Sequence, residues 1–377
     1  MRVLIVGGGI VGNAVAWRLA RAGIDATVLE RGRAGQEASW AAAGLIAPQA
    51  EAEAPGPFLH FCVQAKQAFE ALLEPLIAES GIDPEYERDS GVLYVALNAQ
   101  ERAELMRRAG WQREAGLVVE EIDGTAARKV VPQLSPATEF ALYFRNDFRA
   151  ENRKLTQAYL AAALRAGATL REEAAVEALA LRGGRIAGVH LNGGELIEAD
   201  AVVNAAGAWA GEIKGAEADN IHLFPIRGQI VCFETIPGTL PVGVFSLRGY
   251  VVPRRDGRLL AGSTRERAGF SKTVTLEGME RITRGLKDML PTLSGLRFRE
   301  AWAGLRPAVE DLLPVLGLSP TVPGLYYAAG HFRSGVLLSA ITGEVITALL
   351  TGRKPDADLE PFSPRRFQSA AAGSRDR

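Results

Sequence analysis

The chain has 377 residues, 47% hydrophobic and 23% charged, an ordinary globular composition with enough length for two domains. Its 43 Lys and Arg against 44 Asp and Glu leave a net charge of −1, so no global field recruits nucleic acid or an anionic membrane. Two cysteines, Cys62 and Cys232, and four scattered histidines exclude a disulfide framework, offer no metal-ligand spacing and read as a reducing, cytoplasmic setting without a metal.

The apolar run Arg2–Val6 reads as a buried parallel strand rather than a signal peptide, and no apolar stretch of ~18 residues follows to span a membrane. Gly7, Gly9 and Gly12 come next with G-x-G-x-x-G spacing. The first glycine makes the tight turn, the second admits a pyrophosphate to the backbone, and the third lets helix and strand approach. Val11, Val15, Leu19 and Ala22 recur at helical spacing up to Gly23, and a second strand, 26–29, ends in Glu30. Glu30 stands 18 positions after Gly12, close to the ~20 at which an acid takes a ribose hydroxyl. The unit is a complete dinucleotide-binding βαβ, and the motif does not separate NAD from FAD.

Residues 31–48 are rich in Gly, Ala and Ser, which by composition reads as a loop, with Ser39, Ala42, Ala43 and Gly44 as a small-residue cluster. A helix is expected over 58–80, a strand over 91–97, a helix over 99–109, and turns around Pro132 and Pro136. A helix over 155–166 and a strand over 169–171 resume the α/β pattern. Residues 186–191 and 196–198 form a hairpin about Asn192-Gly193-Gly194, whose Asn-Gly step supplies positive φ angles. A buried strand over 201–206 ends in Gly207-Ala208-Trp209. Strands over 229–234, 249–253 and 258–263 suggest an antiparallel sheet; then come a helix over 276–289, a strand over 324–330, a turn over 331–335 and a helix over 336–350. Polar residues from 366 on read as a frayed tail.

Four stretches together resemble the glycine oxidase and D-amino-acid oxidase family of FAD enzymes: VGGGIVGNAVAWRLARAG with VLER, SWAAAGLIAP, YVVPRRDGRLLAGSTRERAGF, and WAGLRPAVEDLLPVLG leading to YYAAGHFRSGVLLSAITG. The resemblance implies an α/β fold in which a Rossmann-like FAD-binding domain of the glutathione-reductase type (1–85, 146–220, 300–365) is interleaved with an α+β substrate domain on an antiparallel sheet (86–145, 221–299). It implies cofactor contacts at Gly7, Gly9, Ile10, Gly12, Glu30, Arg31, Ser39, Ala42, Ala43, Gly44, Val176, Ala206, Gly207 and Trp209. The turn Gly330, His331, Phe332, Arg333, Ser334 and Gly335 would face the flavin ring, and His331 is given no proton-transfer role.

On the substrate side it implies Arg306 as a carboxylate clamp, Tyr250 as its partner and Arg333 at the same end of the substrate. A planar guanidinium grips a carboxylate bidentately, and a phenol adds a third hydrogen bond. The implied activity is oxidation of glycine, sarcosine or small D-amino acids by non-covalent FAD without a protein general base. O2 is then the acceptor; a homo-oligomer is left open. A D-amino-acid dehydrogenase passing electrons to a quinone or carrier, and a non-catalytic FAD-binding protein on the same fold, stand beside it. Arg248 and Arg265 fall near the implied pocket: turned inward, either would favour acidic or larger amino acids, and turned outward both are solvated.

Overall fold

The computed structural model describes residues 1–88 and 90–368. Arg2–Val6 lies inside a six-stranded sheet, paired in parallel with Asp25–Leu29 on one side and Ala201–Asn204 on the other. Leu325–Ala329 and Thr169–Arg171 extend the parallel set, and Val315–Leu318 closes one edge antiparallel. Alternate residues of the first strand enter two cores. Val3 and Ile5 pack with helices Ile10–Arg21, Pro57–Ser80, Asn152–Arg165 and Gly335–Leu350, while Leu4 and Val6 pack toward a small sheet of Val176–Arg182, Arg185–Leu191 and Leu196–Glu198. Both faces are covered, so the strand is apolar throughout.

The second large sheet has eight strands in the order Arg297–Ala308, Phe224–Glu234, Arg258–Gly262, Gly249–Pro253, Gly243–Ser246, Val92–Ala96, Phe140–Phe144, Glu120–Asp123. It is antiparallel except where Gly243–Ser246 pairs with Val92–Ala96. One face is buried under Leu276–Met289 through Ile282, Leu286 and Met289. The other, through Ile230, Cys232, Val252 and Trp302, packs on Ala41 and Ala43. The segment 38–44 is therefore seated on the second sheet.

Several expectations need correction. The strand Arg297–Ala308 runs unbroken through the expected boundary at 299/300, so residues 300–308 belong to the antiparallel sheet. Its Gly304 and Pro307 hid it; as an edge strand it tolerates a proline that cannot donate. Helix Ala99–Glu114 continues past Gly110 because Trp111 and Gln112 are buried beyond it. Residues 31–48 are not all loop, since Ala38–Ala41 and Pro48–Glu51 are single helical turns. In the hairpin the positive φ angles fall on Gly193 and Gly194 rather than on Asn192. Pro364–Phe367 is a short 3-10 helix held by Arg366 on Asp311, so the expected tail is ordered there; residues 369–377 lie outside the described residues.

Candidate active site

A cavity of about 860 Å³ runs between the two sheets, from Glu30, Arg31 and Val176 at one end to Tyr250, Arg306 and Arg333 at the other. The glycine turn forms its first wall. Gly7 has φ +109°, and a Cβ there would lie 2.4 Å from the Ala205 carbonyl oxygen; a Cβ on Gly12 would lie 2.0 Å from the Gly7 carbonyl oxygen. Gly9 and Ile10 line the cavity at the open N-terminus of helix Ile10–Arg21, where the Ile10 N–H donates to Ser39 Oγ at 2.9 Å. Glu30 is buried and accepts the Gly8 and Gly32 N–H groups at 2.8 and 2.9 Å. Arg31 lies over the Trp209 ring at 3.8 Å.

The Ala- and Gly-rich segment is rigid for reasons outside itself. Asn152 donates to the Ser39 and Trp40 carbonyls, Arg254 to the Ala43 carbonyl, and Trp302 to the Ala41 carbonyl. A Cβ on Gly44 would lie 2.1 Å from the Ala150 carbonyl oxygen. Its small residues thus face the cavity with a fixed backbone. At the far wall, helix Gly335–Leu350 begins with no side-chain cap, and Gly335 and Val336 line the cavity. This second helix N-terminus is a fixed source of partial positive charge.

The end with Tyr250 and Arg306 is built on the antiparallel sheet. Arg306 stands opposite Ile226, and Tyr250 opposite Gly262. Glycines make their room: a Cβ on Gly228 would lie 2.1 Å from the Arg306 guanidinium, and one on Gly262 would lie 2.6 Å from the Tyr250 ring. Arg306 donates to the Thr264 carbonyl at 3.0 Å and to Ser263 Oγ at 2.8 Å. The Ser263 hydroxyl also faces the Tyr250 phenol. Among the described residues no carboxylate pairs with Arg306, and burial, with Arg333 and Arg265 nearby, holds its pKa below the ordinary arginine value. An unpaired, poorly solvated cation calls for an anion that the protein does not supply. Burial raises the Tyr250 phenol, which stays protonated and able to donate.

Arg333 differs from Arg306. Its Nε donates to Glu51 and its Nη1 to Glu53 at 2.8 Å, so two carboxylates neutralise it and raise its pKa. Arg265 also reaches Glu53, at the rim, whereas Arg248 is turned to Glu101 and Asp288. Burial lowers His331 to about 4; it is neutral, with Nε2 against Thr342. Gly12, Gly330 and Ser334 support the walls without lining the cavity, while the other implied residues all line it. Glu51, Glu53, Gly228 and Ser263 were missed by sequence reasoning. The only signal for the acids was the repeated Glu in AEAEAP. Cys62 and Cys232 are free and buried outside the cavity.

Residues 2–349 match the family described as FAD dependent oxidoreductase. The chain belongs to that family. It is 32% identical to the glycine oxidase of Pseudomonas aeruginosa over 96% of this chain and 98% of the relative. The structure of glycine oxidase from Geobacillus kaustophilus superposes with a TM-score of 0.90 at 32% identity, over 97% of this chain and 98% of that one. That of iminodiacetate oxidase from Chelativorans superposes with 0.87 at 28%, over 96% and 99%. This FAD-dependent oxidoreductase has residues that fit its cofactor: a glycine cradle under a helix N-terminus, a buried acid 18 positions beyond Gly12, and a second uncapped helix facing the far end. No helix among the described residues is long and apolar enough to cross a membrane.

Proposed function

We propose that this oxidoreductase oxidises glycine, and with it sarcosine and small D-amino acids, to the imine, which water hydrolyses to a 2-oxo acid and ammonia, or methylamine in the case of sarcosine. O2 takes the two electrons and two protons and becomes H2O2. Bound FAD supplies the two-electron acceptor for the amine. The observation that carries this reading is Arg306, a guanidinium bonded only to neutral oxygens in the cavity that also contains the glycine cradle. Arg306 and the protonated Tyr250 hold the substrate carboxylate, and Arg333, fixed by Glu51 and Glu53, borders the same end. Gly7, Gly9, Ile10, Glu30 and Arg31 hold the AMP and pyrophosphate half, and residues 38–44 and 331–335 border the flavin.

Neither the neutral His331 nor the raised phenol of Tyr250 is poised as a base near neutrality, which supports catalysis by orientation. The FAD-binding unit is the six-stranded sheet with its helices, and the substrate unit the eight-stranded sheet through residue 308. Free, buried cysteines suit a reducing cytoplasm.

The test is turnover of glycine in air and, without oxygen, with an artificial dye. Equal molar glyoxylate and H2O2 in air are expected. Activity with dye alone replaces the oxidase with a dehydrogenase, and no turnover with either removes the catalytic reading.

A further inference from the structure

The turn Pro48–Glu51 brings Glu51 to Arg333, yet a single helical turn cannot hold itself. Two buried side chains of opposite charge grip its ends. Asp147 is fully buried and accepts the Gln49 N–H at 3.2 Å on Oδ1 and the Ala50 N–H at 2.7 Å on Oδ2. Ala47, which precedes the turn, has no side chain that could do so. At the other end Arg108, 5% exposed, donates from Nη1 to the carbonyls of Gln49, Ala50 and Ala52. An anion at the N–H end and a cation at the carbonyl end both oppose the dipole of the turn. The Asp147 carboxylate makes no other hydrogen bond and no ion pair among the described residues, and it does not line the cavity. Burying a carboxylate is costly, and here its two hydrogen bonds serve this turn alone.

We propose that Asp147 is a positioning residue for substrate binding: it grips the Pro48–Glu51 turn from behind, fixes Glu51, and through Glu51 sets the Arg333 guanidinium at the cavity wall. The inference rests on the reading of Arg333 as a substrate-side residue. Burial pushes the Asp147 carboxyl up to about 7, against its two N–H bonds and Lys66 and with the help of Glu51. Tyr86 and the buried thiol of Cys62 also face it. Protonation turns one acceptor oxygen into a donor, and one N–H of the turn loses its partner. The grip therefore loosens as pH falls through about 7, and KM rises on the acid side.

The experiment compares FAD-loaded Asp147→Asn, Asp147→Glu and Arg333→Lys with the parent enzyme. Asp147→Asn is expected to raise KM for glycine about 5- to 20-fold, with kcat within about two-fold. FAD affinity is unchanged and the acid rise in KM is gone. Asp147→Glu keeps the charge but pushes the turn in a fully packed site, so KM rises and the acid rise persists. Combined with Arg333→Lys, Asp147→Asn adds no further change in KM, because both act through one guanidinium. A parent KM in either Asp147 variant overturns the inference, as does loss confined to FAD binding. If Arg333→Lys is impaired and the Asp147 variants are not, this inference alone falls. If Arg333→Lys binds glycine as the parent does, the reading of Arg333 falls and takes the inference with it.

Discussion

Arg306→Leu should lower kcat/KM for glycine roughly 30- to 900-fold, the equivalent of about 2–4 kcal/mol of transition-state binding. Among the described residues the Arg306 hydrogen bonds go to neutral oxygens alone, whereas Arg333 is matched by Glu51 and Glu53 and Arg265 by Glu53; Arg108, also on neutral oxygens, has its Nη1 engaged by the carbonyls of Gln49, Ala50 and Ala52. Leucine fills much of the space left beside Gly228 without a donor. The loss should lie mainly in KM, because the guanidinium binds the carboxylate in substrate and transition state alike. FAD affinity should stay near that of the parent, since the nucleotide end of the cavity is untouched. Steady-state kinetics with glycine and a flavin fluorescence titration check both halves, and a parent kcat/KM removes Arg306 from its role.

Gly12→Ala should act at the opposite end and on a different quantity. The added Cβ would lie 2.0 Å from the Gly7 carbonyl oxygen and within 3.4 Å of Ile5. Both neighbours belong to the buried turn and strand, and neither is a flexible side-chain tip. Helix Ile10–Arg21 must move away from Arg2–Val6, which costs about 1–3 kcal/mol as overpacking does elsewhere. The same shift withdraws the helix N-terminus from the cavity. The protein should purify with little yellow colour and melt at a lower temperature, with a Kd for FAD raised at least about ten-fold. Parent FAD affinity would mean that close helix–strand approach does not matter for the cradle.

How legible these features were in sequence follows from what each depends on. Gly7, Gly9, Gly12 and Glu30 were readable because one βαβ unit contains all the geometry they require within 29 consecutive residues. Strand Gly249–Pro253 and helix Leu276–Met289 were readable from local pattern and bounded as expected. Arg306 and Tyr250 were not readable from pattern, since arginines are many and an aromatic in a strand is ordinarily core; only the resemblance of whole stretches singled them out. Glu51 and Asp147 were silent because their partners are far along the chain, 282 positions for Arg333 and 97 for Ala50. The rigidity of residues 38–44 was hidden likewise, being imposed by Asn152, Arg254 and Trp302. Local composition reported small residues and could not report what clamps them.

The edge strand Arg297–Ala308 shows the same limit in the backbone. Its Gly304 is required where Ala41 presses on the sheet, a Cβ there lying 2.6 Å from the Ala41 methyl. Its Pro307 sits opposite Pro225 near the end of the pairing. Both residues argue against a strand when read singly, and both are explained by contacts with distant segments.

The most direct measurement is an anaerobic titration of the FAD-loaded protein with glycine, sarcosine and D-alanine, followed at the visible flavin band. The account predicts that glycine bleaches the band to the reduced flavin in the parent, and that Arg306→Leu requires far higher glycine for the same bleaching. A flavin that stays oxidised with all three amino acids in the parent protein, or one that bleaches equally well without Arg306, would contradict it.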